Sequence, residues 1–234
     1  MRNFSCNNLQ FLRHIIRKFK KNIKVLLFEE KNVIFASKFE LNMSKITRME
    51  RVTSWRRALN AARRTAGKKP LDKEPTKKWE AQMLLAEHSP IRLVEYDWSW
   101  DDIKQWVTAH LVRHHEGCEK FVHSQRGDRR VLDVPRDELP QGSLNDMDMT
   151  ANAQALINIS RKRLCSTASP ETREAWKQVI EEIRKVDPVL ADKCVPECLY
   201  RGFCPEFLRP CGYSKTEKYQ KDLEKYRSVD YKEE

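Results

Sequence analysis

One short segment, residues 113–126, concentrates side chains that can handle a phosphate group. The side chains that suit this role are Arg113, His114, His115, Cys118, Ser124, Gln125 and Arg126. Guanidinium and imidazolium groups donate charge-assisted hydrogen bonds to anions, and a hydroxyl or an amide can orient the anion between them. Five of the six histidines lie in the window of residues 88–123, which a purely structural role does not require. The segment therefore predicts a pocket for a phosphorylated ligand.

Residues further along the chain have the types needed to complete such a pocket. Arg136 and Arg163 are further guanidinium groups that could pair with a phosphate. Arg163 follows Asn152 by eleven residues, about three helical turns, so the two share a helix face, and Asn158 points about 120° away. Taken singly, such an arginine or asparagine is usually a solvated surface residue, and a histidine pair at a helix end usually caps carbonyls. The binding interpretation depends on the residues acting together.

Hydrophobic periodicity predicts five helices and one strand to position these side chains. The helices are expected from Thr53 to Gly67, from Thr76 to Ala86, from Ser99 to Gly117, over residues 150–164, and onward from Ser169. The β-branched and aromatic run of residues 91–98 is the expected strand. A capping-box pattern at Ser99 and Asp102 starts the third helix, which delivers residues 113–115 at its C-terminal end. Residues 128–148 are polar and interrupted by prolines, so they are predicted to be mostly loop.

The C-terminal third has one long predicted helix followed by a cysteine-rich stretch. The helix starting at Ser169 and Pro170 is expected to bury Trp176, Val179, Ile180, Ile183 and Val186. Four of the seven cysteines then follow as Cys194, Cys198, Cys204 and Cys211. Structural zinc often uses tighter cysteine pairs, so buried free thiols are the default interpretation and zinc is the alternative. The charge-balanced residues from Ser214 onward predict a solvated end.

The net charge of +11 is unevenly distributed. Residues 1–42 carry nine Lys or Arg against three Glu, so this arm accounts for +6, and the rest of the chain has only +5. This distribution weakens an interpretation based on nucleic-acid binding. The arm could form a basic amphipathic helix, but it lacks the apolar length of a membrane span or of a secretory signal. Cysteines in a chain without an export signal are expected to be reduced, which predicts a cytoplasmic protein.

The expected domain organisation has three parts. Residues 1–42 are a basic extension, which is dispensable if Met43 is the real start of the protein. Residues 43–212 form the catalytic domain, and residues 213–234 form a charged tail. The length allows one domain with a substantial core plus an appendage.

In their order along the chain, these residues resemble the signature of the flavin-dependent thymidylate synthases. In that family an Arg-His-Arg triplet is followed by a Ser and then by a Ser-x-Arg, and residues 113–115 and 124–126 follow this pattern. Thr65 matches the hydroxyl of an early Ala-Arg-x-Ser/Thr element, and Ser89 matches the element before the central strand. Arg136 with the Leu-Pro pair at residues 139–140 matches an Arg-x-x-Leu-Pro element. The resemblance covers roughly residues 50–212.

The resemblance implies an α/β (α+β) fold, a central sheet packed by helices, in a homotetramer whose flavin sites lie between subunits. It assigns the flavin to Thr65, Ser89, Arg113, His114, His115, Asn152 and Asn158. It assigns the nucleotide to His110, Arg113, Ser124, Gln125, Arg126, Arg136 and Arg163. Of these, Arg163 is expected to stabilise negative charge on the uracil ring, and Ser124 to orient the substrate.

The implied reaction is the synthesis of thymidylate. FAD is reduced by NADPH, a methylene group passes from methylenetetrahydrofolate to C5 of dUMP, and the flavin hydride completes the methyl group of dTMP. Because the flavin performs the difficult step, Cys118 is not expected to be a nucleophile. The implied partners are dUMP and further copies of the chain, with no nucleic acid, membrane or metal.

The sequence departs from the family pattern at three places, and alternatives stay open. His115 replaces an arginine and loses obligate charge, which predicts pH-dependent flavin affinity. One extra residue precedes Ser124, so Glu119 is only the nearest candidate for the acidic residue usual in that loop, and the link from Arg126 to Arg136 is short. The alternatives are a flavoenzyme that modifies another pyrimidine nucleotide at C5 and a basic zinc-containing nucleic-acid-binding protein.

Overall fold

The computed structural model describes residues 44–129 and 134–232. The predictions for the basic N-terminal arm, residues 1–42, and for Met43 lie outside the described residues. In the described part no helix is long and apolar enough to cross a membrane.

Four antiparallel strands form one sheet in the order β1-β2-β4-β3. The strands are β1 (Lys45–Arg51), β2 (Glu95–Lys104), β3 (Cys118–Val122) and β4 (Leu144–Asn152). The central pair β2 and β4 alternates buried and partly exposed residues, so that Tyr96, Trp98 and Trp100 face the core together with Met147 and Met149. One face of the sheet therefore carries most of the hydrophobic core.

Helices pack against that apolar face, and the last two of them contribute to a separate small core. They are α1 (Trp55–Thr65), α2 (Lys77–Leu85), α3 (Gln105–Leu111), α4 (Ala153–Arg163), α5 (Pro170–Val186), α6 (Pro188–Lys193), α7 (Glu197–Arg201) and α8 (Glu217–Arg227). Three short 3₁₀ turns complete the element order at Ser89–Leu93, Arg136–Glu138 and Tyr213–Lys215. Trp176 of α5 packs edge-on against Trp98 with ring centroids 6.1 Å apart, which joins the longest helix to the sheet. The predicted fold class, a central sheet packed by helices, is confirmed.

A buried carboxylate connects the N-terminal helix, the sheet and α6. Asp187 is fully buried and accepts hydrogen bonds from Trp55 Nε1 at 2.6 Å, from the Tyr96 hydroxyl at 2.5 Å and from the backbone N–H of Leu190 at 3.1 Å. Arg51 Nη1 lies 3.7 Å from the same carboxylate. A buried charge is tolerated when it is paired and hydrogen-bonded in this way.

The middle of the chain corrects several predicted boundaries. A 3₁₀ turn that contains Pro90 occupies Ser89–Leu93, so the strand predicted over residues 91–98 starts only at Glu95 and runs to Lys104. The presumed capping residues Ser99 and Asp102 consequently lie within β2, where Ser99 pairs with Asp148, and the prediction of a helix start at Ser99 is wrong. Pairing with β4 supplies more hydrogen bonds than a local cap could. The helix after this strand covers only Gln105–Leu111.

Three strands were not predicted at all. Lys45–Arg51, for which no element was predicted, forms β1 beside β2. Residues 144–152, expected to be loop and helix, form β4 beside β2, and residues 118–122 form β3 on the other side of β4. The helix predicted over residues 150–164 therefore begins at Ala153, with Asn152 as its N-cap.

The remaining helix predictions are mostly confirmed, with local corrections. The helix predicted from Thr76 to Ala86 is present with those two residues as its caps. The first helix is capped by Ser54, because the Thr53 hydroxyl donates to the Leu93 carbonyl instead. The helix from Pro170 buries its predicted stripe except for Val186, which is 39% exposed. The predicted solvated end contains α8, which packs Tyr219, Leu223 and Tyr226 into a small second core, so that prediction is wrong.

Candidate active site

Arg163, the last residue of α4, joins two segments that are distant in sequence. Its Nε donates a hydrogen bond to Nε2 of His114 at 2.9 Å, and its Nη2 donates to the carbonyl of His110 at 2.6 Å. His110 belongs to α3, and His114 follows that helix in the turn leading to β3. The structure thus brings together three of the predicted site residues.

The His114 backbone is fixed from the strand side. Its carbonyl accepts hydrogen bonds from the Lys120 ammonium and from Cys118 Sγ, the latter at 3.2 Å. Its own N–H donates to the Leu111 carbonyl at 3.1 Å. Cys118 is buried and therefore has a structural role at this turn. Lys120 was not singled out from the sequence, because its position became meaningful only with the unpredicted strand β3.

The imidazole of His114 is neutral at physiological pH. Burial is the main cause, and the charges of Arg163, Lys120 and His115 add to it, so the pKa of His114 falls to about 4. The hydrogen bond from Arg163 requires Nε2 to be the unprotonated acceptor, which leaves the proton on Nδ1. His114 therefore presents an N–H donor on the side away from Arg163.

Positive charge at this site has no acidic partner in the described ranges. Among residues 44–129 and 134–232, no carboxylate lies within 4.0 Å of the charged nitrogens of Arg113, Lys120 or Arg163. Burial, followed by the charge of Arg113, lowers the pKa of Arg163, and burial together with both arginines lowers that of His110. Like charges held together without a counterion favour the binding of an anion.

The ring of His110 is oriented from α5. Its Nδ1 lies 2.9 Å from the Thr172 hydroxyl, and that hydroxyl in turn accepts a hydrogen bond from Ser169 Oγ at 2.8 Å. Thr172 is fully buried, so this arrangement is shielded from solvent. Trp106 packs edge-on against the other side of the ring, with centroids 5.5 Å apart. Thr172 is a second site residue that the sequence did not indicate.

Arg126 is held by a neighbouring acid. Its Nε and Nη2 donate to the two carboxylate oxygens of Asp128, each at 3.1 Å, and both side chains are more than half exposed. Its backbone N–H donates to Ser124 Oγ at 3.3 Å. Ser124 and Gln125 are half-buried in the loop after β3. A phosphate that binds Arg126 must compete with the Asp128 carboxylate.

Asn152 and Asn158 occupy different surroundings on α4. Asn152 caps the helix by accepting from the N–H of Ala155 at 2.9 Å. A Cβ added to Gly117 would come within 2.5 Å of the Asn152 amide nitrogen, and Gly117 has a φ of +69°, so a side chain is excluded there on both counts. Asn158 Oδ1 accepts from Gln154 at 3.3 Å and from Arg161 at 3.1 Å, on the face opposite Arg163.

The other predicted site residues make no hydrogen bond to the Arg163, His110 or His114 side chains in the described part of the chain. Thr65 is exposed at the end of α1, where its hydroxyl donates to the Ala62 carbonyl at 2.8 Å. Ser89 and Arg136 are exposed at the starts of two 3₁₀ turns. His115 is exposed, with Nδ1 lying 3.1 Å from the Arg113 carbonyl. The described part of the chain holds no group of three His, Cys, Asp or Glu side chains arranged to bind a metal ion.

Comparison with known proteins connects this site to a family. A family model described as thymidylate synthase complementing protein matches residues 129–189, which include β4, α4 and Arg163. The flavin-dependent thymidylate synthase of Pyrococcus abyssi is 37% identical over 130 residues, which are 52% of this chain and 50% of that protein. The chain spans half or less of the length of the curated relatives it matches.

Solved structures agree in fold. The flavin-dependent thymidylate synthase ThyX from Helicobacter pylori, crystallised with FAD and dUMP, superposes with a TM-score of 0.52 at 13% identity, covering 65% of this chain and 99% of that one. The UMP/dUMP methylase PolB from Streptomyces cacaoi, crystallised with 5-Br dUMP, gives 0.50 at 16% identity, covering 69% and 97%. In sequence segments and in fold, the chain is thus similar to the flavin-dependent thymidylate synthases.

Proposed function

We propose that the protein is an FAD-dependent thymidylate synthase that methylates dUMP at C5 to give dTMP. Methylenetetrahydrofolate is the one-carbon donor and NADPH the reductant in this proposal. The observation that carries it is the arrangement of Arg163, whose guanidinium is oriented by His110 and His114 and has no carboxylate partner among the described residues. The similarity to the flavin-dependent thymidylate synthases suggests the reaction class.

The geometry of Arg163 suits an electrostatic role. Two of its nitrogens are occupied by a carbonyl and a neutral imidazole, neither of which cancels its charge. The guanidinium is therefore fixed before a ligand arrives, and its remaining N–H groups can meet negative charge that develops on a pyrimidine ring. Preorganised donors of this kind stabilise transition states most effectively in partly desolvated sites.

Arg126, Arg136, Ser124 and Gln125 are proposed to hold the nucleotide. A nucleotide monophosphate is close to dianionic, and paired arginines bind it through charge-assisted hydrogen bonds. Arg126 can bind the phosphate once the phosphate replaces Asp128 as its ionic partner, and Arg136 is exposed. His110 is proposed to contact the nucleotide with its ring held by Thr172.

The residues present fit a flavin in their donor chemistry. Arg113 and His115 are exposed, and Arg113 has no acidic partner in the described ranges. The charge of Arg113 is therefore available to pair with the pyrophosphate of the flavin cofactor. The Nδ1 proton of His114 is a further donor on a neutral ring. Thr65, Ser89, Asn152 and Asn158 are proposed to complete the site, with residues from more than one subunit of a homotetramer. When bound, FAD supplies the hydride that completes the methyl group.

A second candidate is methylation of a different pyrimidine nucleotide. The Streptomyces cacaoi neighbour is described as a UMP/dUMP methylase and shares the fold, so the scaffold accommodates a ribonucleotide in that protein. UMP and dUMP differ only in the 2′-hydroxyl of the ribose, so an enzyme specific for one of them must recognise that group or its absence. The two candidates are separated by supplying UMP and dUMP to the same preparation.

Tritium release tests the proposal. The purified protein is incubated with 5-tritiated dUMP, methylenetetrahydrofolate, FAD and NADPH, and tritium released to water is counted. We expect release only when folate and reductant are both present, because C5 must be substituted. No release with dUMP, but release from 5-tritiated UMP, would favour the second candidate. No release from either would overturn both.

A further inference from the structure

A cavity of about 610 Å³ lies beside the C-terminal end of α4, and none of the residues proposed to bind nucleotide or flavin lines it. Four cysteines line this cavity: Cys165, Cys198, Cys204 and Cys211. The described part of the chain has six cysteines, and the two outside the cavity, Cys118 and Cys194, are buried. Every described thiol that is at least partly accessible therefore lines this cavity. Such a cluster of thiols indicates that they could react with one another.

Cys211 has the surroundings of a reactive thiol. It is exposed, the Ser166 hydroxyl and the backbone N–H of Tyr213 hydrogen-bond its sulfur, and Arg173 adds positive charge nearby. These interactions, with that of Ser166 the largest, lower the pKa of Cys211. Burial has the opposite effect at Cys198 and raises its pKa to about 11, with Cys165 and Cys204 adding to the rise. Cys211 is also the exposed thiol among the four, and since the thiolate is the nucleophile we expect it to react first.

Cys165 lines the same cavity as Cys211 and is partly exposed, so its thiol is open to a second reaction with Cys211. It is the sequence neighbour of Ser166, the residue whose hydroxyl contacts the Cys211 sulfur, and consecutive Cα atoms are ~3.8 Å apart. Its sulfur is partly exposed and accepts a hydrogen bond from the Thr167 hydroxyl at 3.2 Å. It also follows Arg163, the end of α4, by two residues.

We propose that Cys211 and Cys165 form a thiol pair that a hydroperoxide converts into a disulfide. The Cys211 thiolate attacks the peroxide oxygen, the O–O bond breaks, and the leaving alkoxide or hydroxide takes up a proton. The resulting sulfenic acid is attacked by the Cys165 sulfur, the S–S bond forms, and water leaves. Two thiols lose two electrons in total and the hydroperoxide gains them. The disulfide ties the end of the helix that carries Arg163 to the segment containing Cys211.

Peptide mapping of the full-length protein tests the pair. Reduced protein is treated with equimolar hydrogen peroxide at pH 7, its free thiols are alkylated, and tryptic peptides are analysed by mass spectrometry. We expect a cross-link between the peptide of residues 164–173 and the peptide of residues 202–215. The second peptide contains both Cys204 and Cys211, so variants identify the partner. The cross-link should persist in Cys204→Ser and disappear in Cys211→Ser.

Cys194→Ser is the matched control, because Cys194 is buried, lies outside the cavity and should leave the cross-link intact. A measurement on unaltered protein removes any dependence on variant folding. In the reduced state iodoacetamide should label Cys211 at least ~100-fold faster than Cys194, whose pKa burial raises to about 12. Persistence of the cross-link in Cys211→Ser, its loss in Cys204→Ser, its absence from the wild type, or labelling of Cys211 no faster than Cys194 would each overturn the proposal.

Discussion

Arg163 Nε and His114 Nε2 are joined by a 2.9 Å hydrogen bond across 49 residues of sequence. The bond orients a charged guanidinium without neutralising it, since burial and the surrounding positive charges keep the imidazole uncharged. The same contact fixes the end of α4 against the turn that follows α3. Binding chemistry and tertiary packing thus meet in one pair of side chains.

Removing the Arg163 guanidinium should weaken nucleotide binding while leaving the fold intact. Arg163→Ala should raise the Kd for dUMP by roughly 10- to 100-fold, as expected for loss of charge-assisted hydrogen bonds, and should abolish turnover. Calorimetric titration with dUMP measures the affinity. Lys162→Ala is the matched control, because Lys162 is the preceding cation on α4 and pairs with Glu197 at 3.0 Å. Equal affinities of Arg163→Ala and the wild type would remove Arg163 from the site.

The neutral state of His114 predicts a pH dependence of stability. The unfolded chain protonates this imidazole near its ordinary pKa of 6.5, whereas the folded chain does so only at about 4. Between these values the unfolded state binds more protons, so the free energy of unfolding falls as the pH drops from about 6.5 to about 4 and is unaffected by this group above that window.

His114→Gln should reduce this loss, because the amide oxygen of glutamine can still accept from Arg163 but cannot be protonated in this range. Thermal melting of wild type and variant between pH 4 and 7 gives the comparison. His88→Gln, at an exposed histidine, controls for the loss of one titratable group. Parallel stability curves for wild type and His114→Gln would show that the imidazole is not buried in its neutral form.

The Arg126–Asp128 ion pair predicts competition with the nucleotide. Asp128→Asn should tighten dUMP binding about two- to fivefold, since an exposed ion pair contributes up to about 1 kcal/mol. The same substitution in an Arg126→Ala background should have no effect on the Kd. If Asp128→Asn weakens binding instead, the carboxylate contacts the nucleotide and does not compete with it.

The buried hydrogen bonds of Asp187 are expected to make a large contribution to the free energy of unfolding. Asp187→Ala leaves the buried Trp55 indole N–H and Tyr96 hydroxyl without their acceptor, so we expect a loss of about 3 to 5 kcal/mol in the free energy of unfolding. Urea denaturation measures the change. Asp72→Ala, at an exposed carboxylate, should alter stability by no more than about 0.5 kcal/mol. A similar small effect at Asp187 would contradict a structural role for this network.

Some of this architecture was accessible from the sequence. Helix periodicity with caps located α2 and α5, because Thr76 and Pro170 are strong local signals. The strand β4 was missed although Met147 and Met149 alternate with polar residues, since the proline-rich residues before it suggested a continuing loop. The helix α8 was missed because its apolar residues are few, although Tyr219, Leu223 and Tyr226 have helical spacing.

Some residues of the candidate site could be predicted from the sequence, and others could not. Residue types and order indicated Arg163, His110 and His114, but their hydrogen bonds depend on how α3 and α4 pack, which no local pattern specifies. Lys120 and Thr172 could not be found without the strand and the helix that place them. Asp128, the partner of Arg126, lies only two residues further along the chain. This spacing does not by itself predict an ion pair, because the loop geometry decides whether the two side chains meet.

The cations around Arg163, which have no carboxylate partner in the described residues, are proposed to bind a nucleotide next to a flavin. The most direct test is an absorbance spectrum. The purified full-length protein is incubated with FAD, unbound FAD is removed, and spectra are recorded before and after addition of dUMP. We expect retained flavin bands in the wild type and a spectral shift on addition of dUMP that Arg163→Ala lacks. A protein that retains no flavin, or a flavin spectrum that dUMP leaves unchanged in the wild type, would contradict this proposal.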